Sequence, residues 1–287
     1  MNFENGKEIK LSSETIERTP PPAGGTVIIM QRHGNYDRST GHLTLDGHQD
    51  SLKRSEALIE GMIEQIPEEE RQFVTVLVVA SPTIKHEGRR SMETAANAIV
   101  SVQEAFDKYG IPQENLLTES PRPVEDIEEP RMFQQNTEYW KTLVDRYGSG
   151  TQEFWKAYEE DHHQEEREQM GEEGPVEMSD RFAHFTNVLG RYARLHHANH
   201  KGEPARLIIW NVSHYDTVTT FFKNHVASID QKEYIPVDYD GGISLMIDKD
   251  GEASVKVGEA TYPIELTERG TKLKRHENEE EKVNSDV

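Results

Sequence analysis

The feature that most constrains the fold is an alternation of apolar runs with segments of helical periodicity. Four runs have the apolar, β-branched character of buried strands: Thr26–Met30, Val74–Ala80, Leu207–Val212 and Ile243–Ile247. Helical spacing of apolar residues fills Leu45–Ile66 and Arg90–Tyr109, which follow the first and second runs. Alternation of this kind is typical of a largely parallel sheet with helices on both faces and right-handed crossovers. The sequence therefore predicts an α/β fold, a three-layer αβα sandwich with a mostly parallel central sheet.

The pattern changes between about residues 130 and 200, where helical segments become polar and rich in aromatic residues. We interpret this stretch as a helical insertion that covers the sheet, and we expect Ser179-Asp180 to cap a helix within it. An N-terminal extension is expected over residues 1–24. One domain, which includes the insertion, is expected over 25–262, and an acidic, disordered tail over 263–287.

Composition excludes several classes of protein. The chain of 287 residues has no cysteine, which rules out disulfides, thiolate metal ligands and a thiol nucleophile. Its net charge of −21 argues against nucleic acid as a partner, because nucleic-acid binding depends on Lys and Arg. No apolar run approaches the ~18 residues of a membrane span. Met1–Pro22 contains no apolar h-region, so we expect no secretory signal. We therefore expect a cytoplasmic protein that does not bind a membrane.

Three of the predicted strands end in residues suited to a phosphoryl group. They are Arg32-His33, Ser81-Pro82 leading into Arg89-Arg90, and Ser213-His214. The carboxyl ends of parallel strands lie on one edge of a sheet, so these residues are expected to converge although they are far apart in sequence. Arginine binds phosphate through two parallel hydrogen bonds. The sequence therefore predicts a phosphate pocket at this edge.

At these residues the sequence resembles the histidine phosphatase superfamily, which includes cofactor-dependent phosphoglycerate mutases and histidine acid phosphatases. The motifs that carry the resemblance occur in the family's order: Arg32-His33-Gly34, then Leu43–Gln49 as Leu-Thr-x-x-Gly-x-x-Gln, Arg90–Ala95, and Val212–His214. More loosely, Glu177–Arg181 is similar to the family segment that precedes the last αβ unit. The resemblance spans roughly residues 27–247.

The resemblance implies roles for individual residues. His33 would be the nucleophile, attacking phosphorus to form a phosphohistidine that water then hydrolyses. Arg32, Arg90 and His214 would bind the phosphoryl oxygens, and His214 would also take part in catalysis. Neither a metal nor a cofactor is implied.

Two assignments stay open at this stage. Ser81-Pro82 is separated from Arg90 by about five more residues than the family pattern has, so Arg89 is a rival second arginine. The family supplies a general acid, usually a Glu, after the third strand. With a strand at Leu116–Glu119, that acid would be Glu125, and Glu128 and Glu119 are close alternatives.

These inferences favour a phosphomonoester hydrolase that acts on a small phosphorylated substrate or a phosphopeptide. Hydrolysis is favoured over mutase activity because Asn35-Tyr36-Asp37 follows the first motif, where the mutases have Glu-Ser-x-x-Asn. The alternatives are a phosphoglycerate mutase-type phosphotransferase and a catalytically inactive scaffold on the same fold. The sequence predicts neither the substrate nor the oligomeric state.

Overall fold

The computed structural model describes residues 9–227, 234–267 and 274–275. Within these residues a single sheet contains eight strands in the order β3-β2-β4-β1-β5-β6-β7-β8. Their bounds are β1 Thr26–Arg32, β2 Val74–Ala80, β3 Arg122–Pro123, β4 Arg206–Ser213, β5 Gly242–Ile247, β6 Ala253–Val257, β7 Ala260–Glu265 and β8 Lys274–Arg275. All four predicted strands are present, each within two residues of its expected bounds.

The parallel part of the sheet comprises β3, β2, β4 and β1. From β5 onward the strands are antiparallel. In the parallel part the register pairs Arg32 with Ser213 and Ala80 with Val212, so three strands end at the same level. The shared level brings the segments that follow these strands to one edge.

Helices cover both faces of the sheet, which confirms the predicted three-layer α/β architecture. The helices are α1 Leu45–Glu64, α2 Arg90–Tyr109, α3 Arg131–Gln135, α4 Glu138–Tyr147, α5 Gln152–Glu159, α6 Gln164–Gln169, α7 Pro175–Asn199 and α8 Tyr215–Phe221. Apolar residues of α1 and α2, such as Met62 and Ala98, form one core with the sheet. Phe182 of α7 and Phe221 of α8 belong to the core on the other face.

α3, α4 and α5 share a small core, in which Phe133, Tyr139, Phe154 and Tyr158 are buried together with Met178 of α7. α7 follows these helices and also packs on the sheet itself. The expected cap of α7 at Ser179-Asp180 is wrong. The helix begins four residues earlier, at Pro175, because Glu177 Oε2 accepts a hydrogen bond from the backbone N–H of Gly174, the N-cap residue.

Residues on the outer side of both predicted domain boundaries pack with the main fold. Leu11 and Ile16, from the expected N-terminal extension, are buried. β7 runs across the expected boundary at residue 262. The most acidic part of the expected tail, residues 277–286, lies outside the described residues. Among the residues that the structure describes, no helix is long and apolar enough to cross a membrane.

Candidate active site

Three chain segments meet beyond the carboxyl ends of the parallel strands. His33 follows β1, His214 follows β4, and Arg90 is the first residue of α2. Backbone hydrogen bonds align these segments: His33 N–H donates to Ser213 O (3.0 Å), and Ser81 N–H donates to Val212 O (2.9 Å). The predicted convergence of the two histidines and the arginine is therefore present in the structure.

His33 is buried, and its ring is fixed by two hydrogen bonds. Nδ1 lies 2.8 Å from the carbonyl oxygen of Gly34, which can only accept, so Nδ1 carries the proton. Nε2 then accepts from Arg90 Nε at 2.8 Å. Burial, reinforced by the positive charge of Arg90, lowers the pKa of His33 well below 6.5. The imidazole is therefore neutral at pH 7, with the Nε2 lone pair directed toward Arg90.

Arg90 joins the groups of the pocket. Besides His33, its Nη2 donates to Glu129 Oε2 at 2.5 Å and lies 3.2 Å from His214 Nδ1. Its guanidinium carbon lies 4.6 Å from the centre of the Tyr36 ring. Arg89 precedes the helix and is exposed. The structure thus places Arg90, and not its rival Arg89, beside the histidines.

His214 is also buried. Its Nε2 lies 2.9 Å from the Ser81 hydroxyl, and its Nδ1 lies 3.5 Å from Glu129 Oε2. Burial and the nearby charge of Arg90 lower the pKa of His214 well below 6.5. With Arg90 donating to Nδ1, the proton of the neutral ring is on Nε2, where it is donated to Ser81.

Arg32 occupies the opposite side of the pocket. Its Nη1 donates to the carbonyl oxygen of Val237, and its guanidinium carbon lies 4.1 Å from the centre of the Tyr239 ring. Tyr215 lies on another side of the same guanidinium, at 5.5 Å. Stacking between rings restrains the guanidinium without using all of its donors.

Four buried polar atoms around this pocket have no hydrogen-bond partner among the described residues. They are Arg32 Nε, Arg90 Nη1, Glu129 Oε1 and Asp216 Oδ2. Buried polar atoms are normally paired, so a cluster of unpaired ones indicates a site for a polar ligand. Two are cationic donors and two belong to carboxyl groups. This set fits the oxygens of a phosphoryl group together with a proton donor.

The structure does not place the predicted general acid, Glu125, in the pocket. Glu125 lies in a short 3₁₀ helix with its side chain exposed, and Glu119 is exposed on another part of the surface. Glu128 is half-buried, but it does not line the pocket. The carboxyl group that this segment brings into the pocket belongs to Glu129. The displacement arises because β3 lies at Arg122–Pro123, several residues beyond the expected strand at 116–119.

Asp216 is a pocket residue that the sequence did not reveal. It lies in the first turn of α8, two residues after His214, and is buried. Burial, reinforced by the negative charge of Glu129, raises its pKa to about 8. Asp216 is therefore protonated at pH 7. Asp216 could have been found from the sequence by its position just beyond the end of β4. The rule that ligand-binding residues follow the carboxyl ends of parallel strands had already identified His214.

The remaining motif residues support the backbone around His33. Thr94, one helical turn after Arg90, accepts a hydrogen bond from the Gly34 N–H at 2.9 Å. Thr44 caps α1 by accepting from the Gly47 N–H. A side chain at Gly47 would place Cβ 2.0 Å from the carbonyl oxygen of Asn35, so only glycine fits there. These residues act through the backbone and do not line the pocket.

The extra residues between Ser81 and Arg90 form a tight turn closed by a bridge between Lys85 and Gly88. This turn packs against the loop that follows β1, and a Cβ on Gly88 would lie 2.0 Å from the carbonyl carbon of Gly41. Lys85 Nζ donates to Phe133 O at 2.7 Å, which ties the turn to α3. The longer spacing thus places Lys85 and its neighbour His86 at the rim of the pocket.

The pocket opens into a cavity of about 560 Å³, within the size range of small-molecule sites. One wall comes from the segment between α3 and α5, and the other from the strand ends. Arg38, Lys85 and His86 add positive or titratable groups at the rim. In a chain of net charge −21, this cluster makes a local site for an anion.

The chain resembles several solved structures in overall fold. A phosphoglycerate mutase from Bacillus anthracis is 12% identical with a TM-score of 0.48, over 84% of this chain and 95% of that one. A mycobacterial glucosyl-3-phosphoglycerate phosphatase is 13% identical with a TM-score of 0.44, over 82% and 98%. YhfR from Bacillus stearothermophilus is 17% identical with a TM-score of 0.44, over 81% and 96%.

No protein-family model and no curated protein matches the sequence.

Proposed function

We propose that the chain is a phosphomonoester hydrolase of the histidine phosphatase superfamily, and that it acts through a phosphohistidine on His33. The observation that carries this proposal is the state of the His33 ring. It is neutral, its proton is held by Gly34 O, and Nε2 faces the donors of Arg90. A nucleophilic nitrogen beside cationic donors that lack partners is the arrangement that phosphoryl transfer requires.

Binding of the substrate replaces the hydrogen bond between Arg90 and His33 with several hydrogen bonds to the phosphoryl oxygens. A phosphoryl oxygen takes the place of His33 Nε2 as the acceptor of Arg90 Nε, which frees the Nε2 lone pair. Arg90 Nη1 and Arg32 Nε, which have no partner among the described residues, donate to the other oxygens. His214, whose Nδ1 accepts from Arg90, keeps that guanidinium in place beside them. Fixed donors of this kind stabilise the charge that the transition state spreads over these oxygens.

In the first step the Nε2–P bond forms and the bond from phosphorus to the ester oxygen breaks. The leaving oxygen needs a proton, and the buried carboxyl groups of Glu129 and Asp216 lie in the pocket to supply one. Glu129 is occupied as the ion-pair partner of Arg90, whereas the raised pKa of Asp216 keeps that group protonated. We therefore assign the general acid to Asp216 and the orientation of Arg90 to Glu129.

In the second step water attacks phosphorus and the Nε2–P bond breaks. The Asp216 carboxylate left by the first step accepts the proton of the water, and inorganic phosphate leaves. The proton stays on Nδ1, where it is donated to the Gly34 carbonyl oxygen throughout, so His33 returns to the tautomer from which it started. Both half-reactions use the same groups, as microscopic reversibility requires.

A labelled phosphomonoester provides the test. After an alkaline quench, the wild type is expected to carry an acid-labile, alkali-stable phosphoryl label, and His33→Ala is expected to carry none. Label that persists in His33→Ala would overturn the assignment of the nucleophile. The absence of label and turnover across a broad panel of phosphoesters would favour the inactive scaffold. Net transfer between the hydroxyls of 3-phosphoglycerate, supplied with the bisphosphate primer, would identify a mutase.

A further inference from the structure

A continuous aromatic wall extends from the phosphate pocket into the cavity. It begins at Tyr215, whose ring lies 5.5 Å from the Arg32 guanidinium carbon. Trp155 lies 4.6 Å beyond Tyr215, and Phe133 lies 5.5 Å beyond Trp155, between ring centroids. The wall therefore begins where the phosphoryl group would be held and continues into the space that the rest of the ester would occupy.

The wall is held rigidly from behind. Phe154 packs edge-on against Trp155, with ring centroids 5.3 Å apart. The Tyr215 hydroxyl donates to Glu159 Oε1 at 3.1 Å, and Glu159 is paired with Lys223 at 2.6 Å, with both side chains 2% exposed. Tyr215 and Phe133 are buried, 5% and 7% exposed, so the half-buried Trp155 is the member of the wall that offers the most surface to a ligand. A preorganised aromatic surface binds a flat ligand without a large loss of side-chain entropy.

Aromatic residues are concentrated in this cavity. Eight of its twenty-three lining residues are Phe, Tyr or Trp, against 8% of the whole chain. Two of the three tryptophans, Trp140 and Trp155, are among them. The third, Trp210, lies buried in β4. The part of the cavity that contains Arg32 and Arg90, which we call the charged end, also contains Tyr36 and Tyr239. The aromatic wall leads away from this charged end and divides it from the space beside Trp155.

From this division we infer the substrate class: a small phosphomonoester whose leaving group carries a flat aromatic ring. The inference rests on the proposed function, because the charged end must hold the phosphoryl group for the ring to reach Trp155. Aromatic rings pair favourably with one another when they are offset or edge-on, beyond the effect of the apolar area alone. A saturated ring of the same size buries similar area but cannot make this interaction.

Two phosphonates that cannot be hydrolysed separate ring recognition from catalysis. Benzylphosphonate and cyclohexylmethylphosphonate carry the same charged group on rings of similar size. Isothermal titration calorimetry of the full chain is expected to show tighter binding of the benzyl compound, by about three- to tenfold. The matching esters, benzyl phosphate and cyclohexylmethyl phosphate, both release primary alcohols. Their kcat/KM values are expected to differ in the same direction.

Variants of Trp155 test whether the wall causes the preference for the benzyl compound. Trp155→Leu is expected to abolish the difference between the two phosphonates, and Trp155→Phe, which restores a ring, is expected to retain most of it. Tyr192→Leu is the matched control, since Tyr192 is 36% exposed on α7 and does not line the cavity. Binding of inorganic phosphate by each variant shows that the charged end is intact.

The outcomes separate this inference from the proposed function. Equal binding of the two phosphonates, or a higher kcat/KM for glucose 6-phosphate than for benzyl phosphate, would overturn the aromatic substrate class and leave the phosphatase proposal standing. A benzyl preference that survives in Trp155→Leu would overturn the role of the wall. If neither phosphonate binds and no ester is hydrolysed, the phosphate site itself fails, and this inference fails with it.

Discussion

Arg90 Nε lies 2.8 Å from His33 Nε2, so the side chain proposed to bind the phosphoryl group occupies the lone pair of the proposed nucleophile. The same guanidinium is paired through Nη2 with Glu129, and its Nη1 has no partner among the described residues. A substrate oxygen that takes the place of the imidazole nitrogen as acceptor would free the nucleophile at the moment of binding. In the proposed mechanism Arg90 would therefore couple occupancy of the pocket to the reactivity of His33.

Arg90→Lys is expected to lower kcat/KM by about 100-fold, because an ammonium group cannot bind the phosphoryl group, His33 and Glu129 at once. Steady-state kinetics with benzyl phosphate measure the effect. Arg89→Lys is the matched control, because the neighbouring side chain is exposed. A larger loss in Arg89→Lys than in Arg90→Lys would contradict the assignment of the second arginine.

The identity of the leaving group distinguishes the roles of the two carboxyl groups. A poor leaving group needs protonation and a good one does not. Asp216→Asn is therefore expected to lower kcat for benzyl phosphate by about 100-fold or more, and for p-nitrophenyl phosphate by much less. Glu129→Gln is expected to reduce both rates by a similar factor, because it acts through Arg90. The reverse pattern would make Glu129 the proton donor.

The pH dependence of kcat/KM for benzyl phosphate is expected to show a basic limb near pH 8. The raised pKa of Asp216 keeps the general acid protonated below about pH 8, and activity falls as the pH rises through that value. The lowered pKa of His33 keeps the nucleophile neutral at every pH above 6.5, so His33 does not contribute to this limb. A limb near pH 8 that persists unchanged in Asp216→Asn would assign it to another group.

The same carboxyl group affects stability. Its pKa is higher in the folded chain than the ordinary value of 3.8, so the folded state binds the proton more tightly, and Asp216 costs stability increasingly as the pH rises toward 8. Asp216→Asn removes this ionisation. The Tm of Asp216→Asn minus the Tm of the wild type is expected to be several degrees larger at pH 9 than at pH 5. Thermal unfolding followed by circular dichroism at both pH values measures the change, and a difference in Tm independent of pH would contradict it.

The strand ends could be predicted from the sequence because they depend on the local pattern of apolar residues. A buried parallel strand is a continuous apolar run, and the chain must turn where that run stops, so His33 and His214 could be placed at the sheet edge from the sequence alone. Arg90 was favoured by the resemblance of Arg90–Ala95 to the family motif at the start of α2, with Arg89 left as a rival. These positions depend on regular elements longer than five residues, which have a recognisable pattern.

Positions that depend on irregular structure were not predictable in this way. β3 has only two residues, and Leu116 pairs with Val76 through a single bridge, so no periodicity marked where the edge strand lay or which Glu followed it. The unusual pKa of Asp216 results from burial by distant parts of the chain. The aromatic wall likewise combines Phe133 and Trp155 with Tyr215, which are brought together only by the fold.

The turn between Ser81 and Arg90 gives a last prediction, because it depends on close backbone contact. A Cβ at Gly88 would lie 2.0 Å from the Gly41 carbonyl carbon and 2.1 Å from the His42 nitrogen. Gly88→Ala is expected to displace the turn, to cost about 1–3 kcal/mol of stability, and to raise KM several-fold as Lys85 leaves the rim. Gly61→Ala is the control, since its Cβ would come no closer than 3.4 Å to the Arg18 side chain, and alanine is favoured within α1. Thermal unfolding and steady-state kinetics of both variants measure the effect. If Gly88→Ala matched Gly61→Ala in Tm and KM, the packing of the two loops would have no part in shaping the pocket.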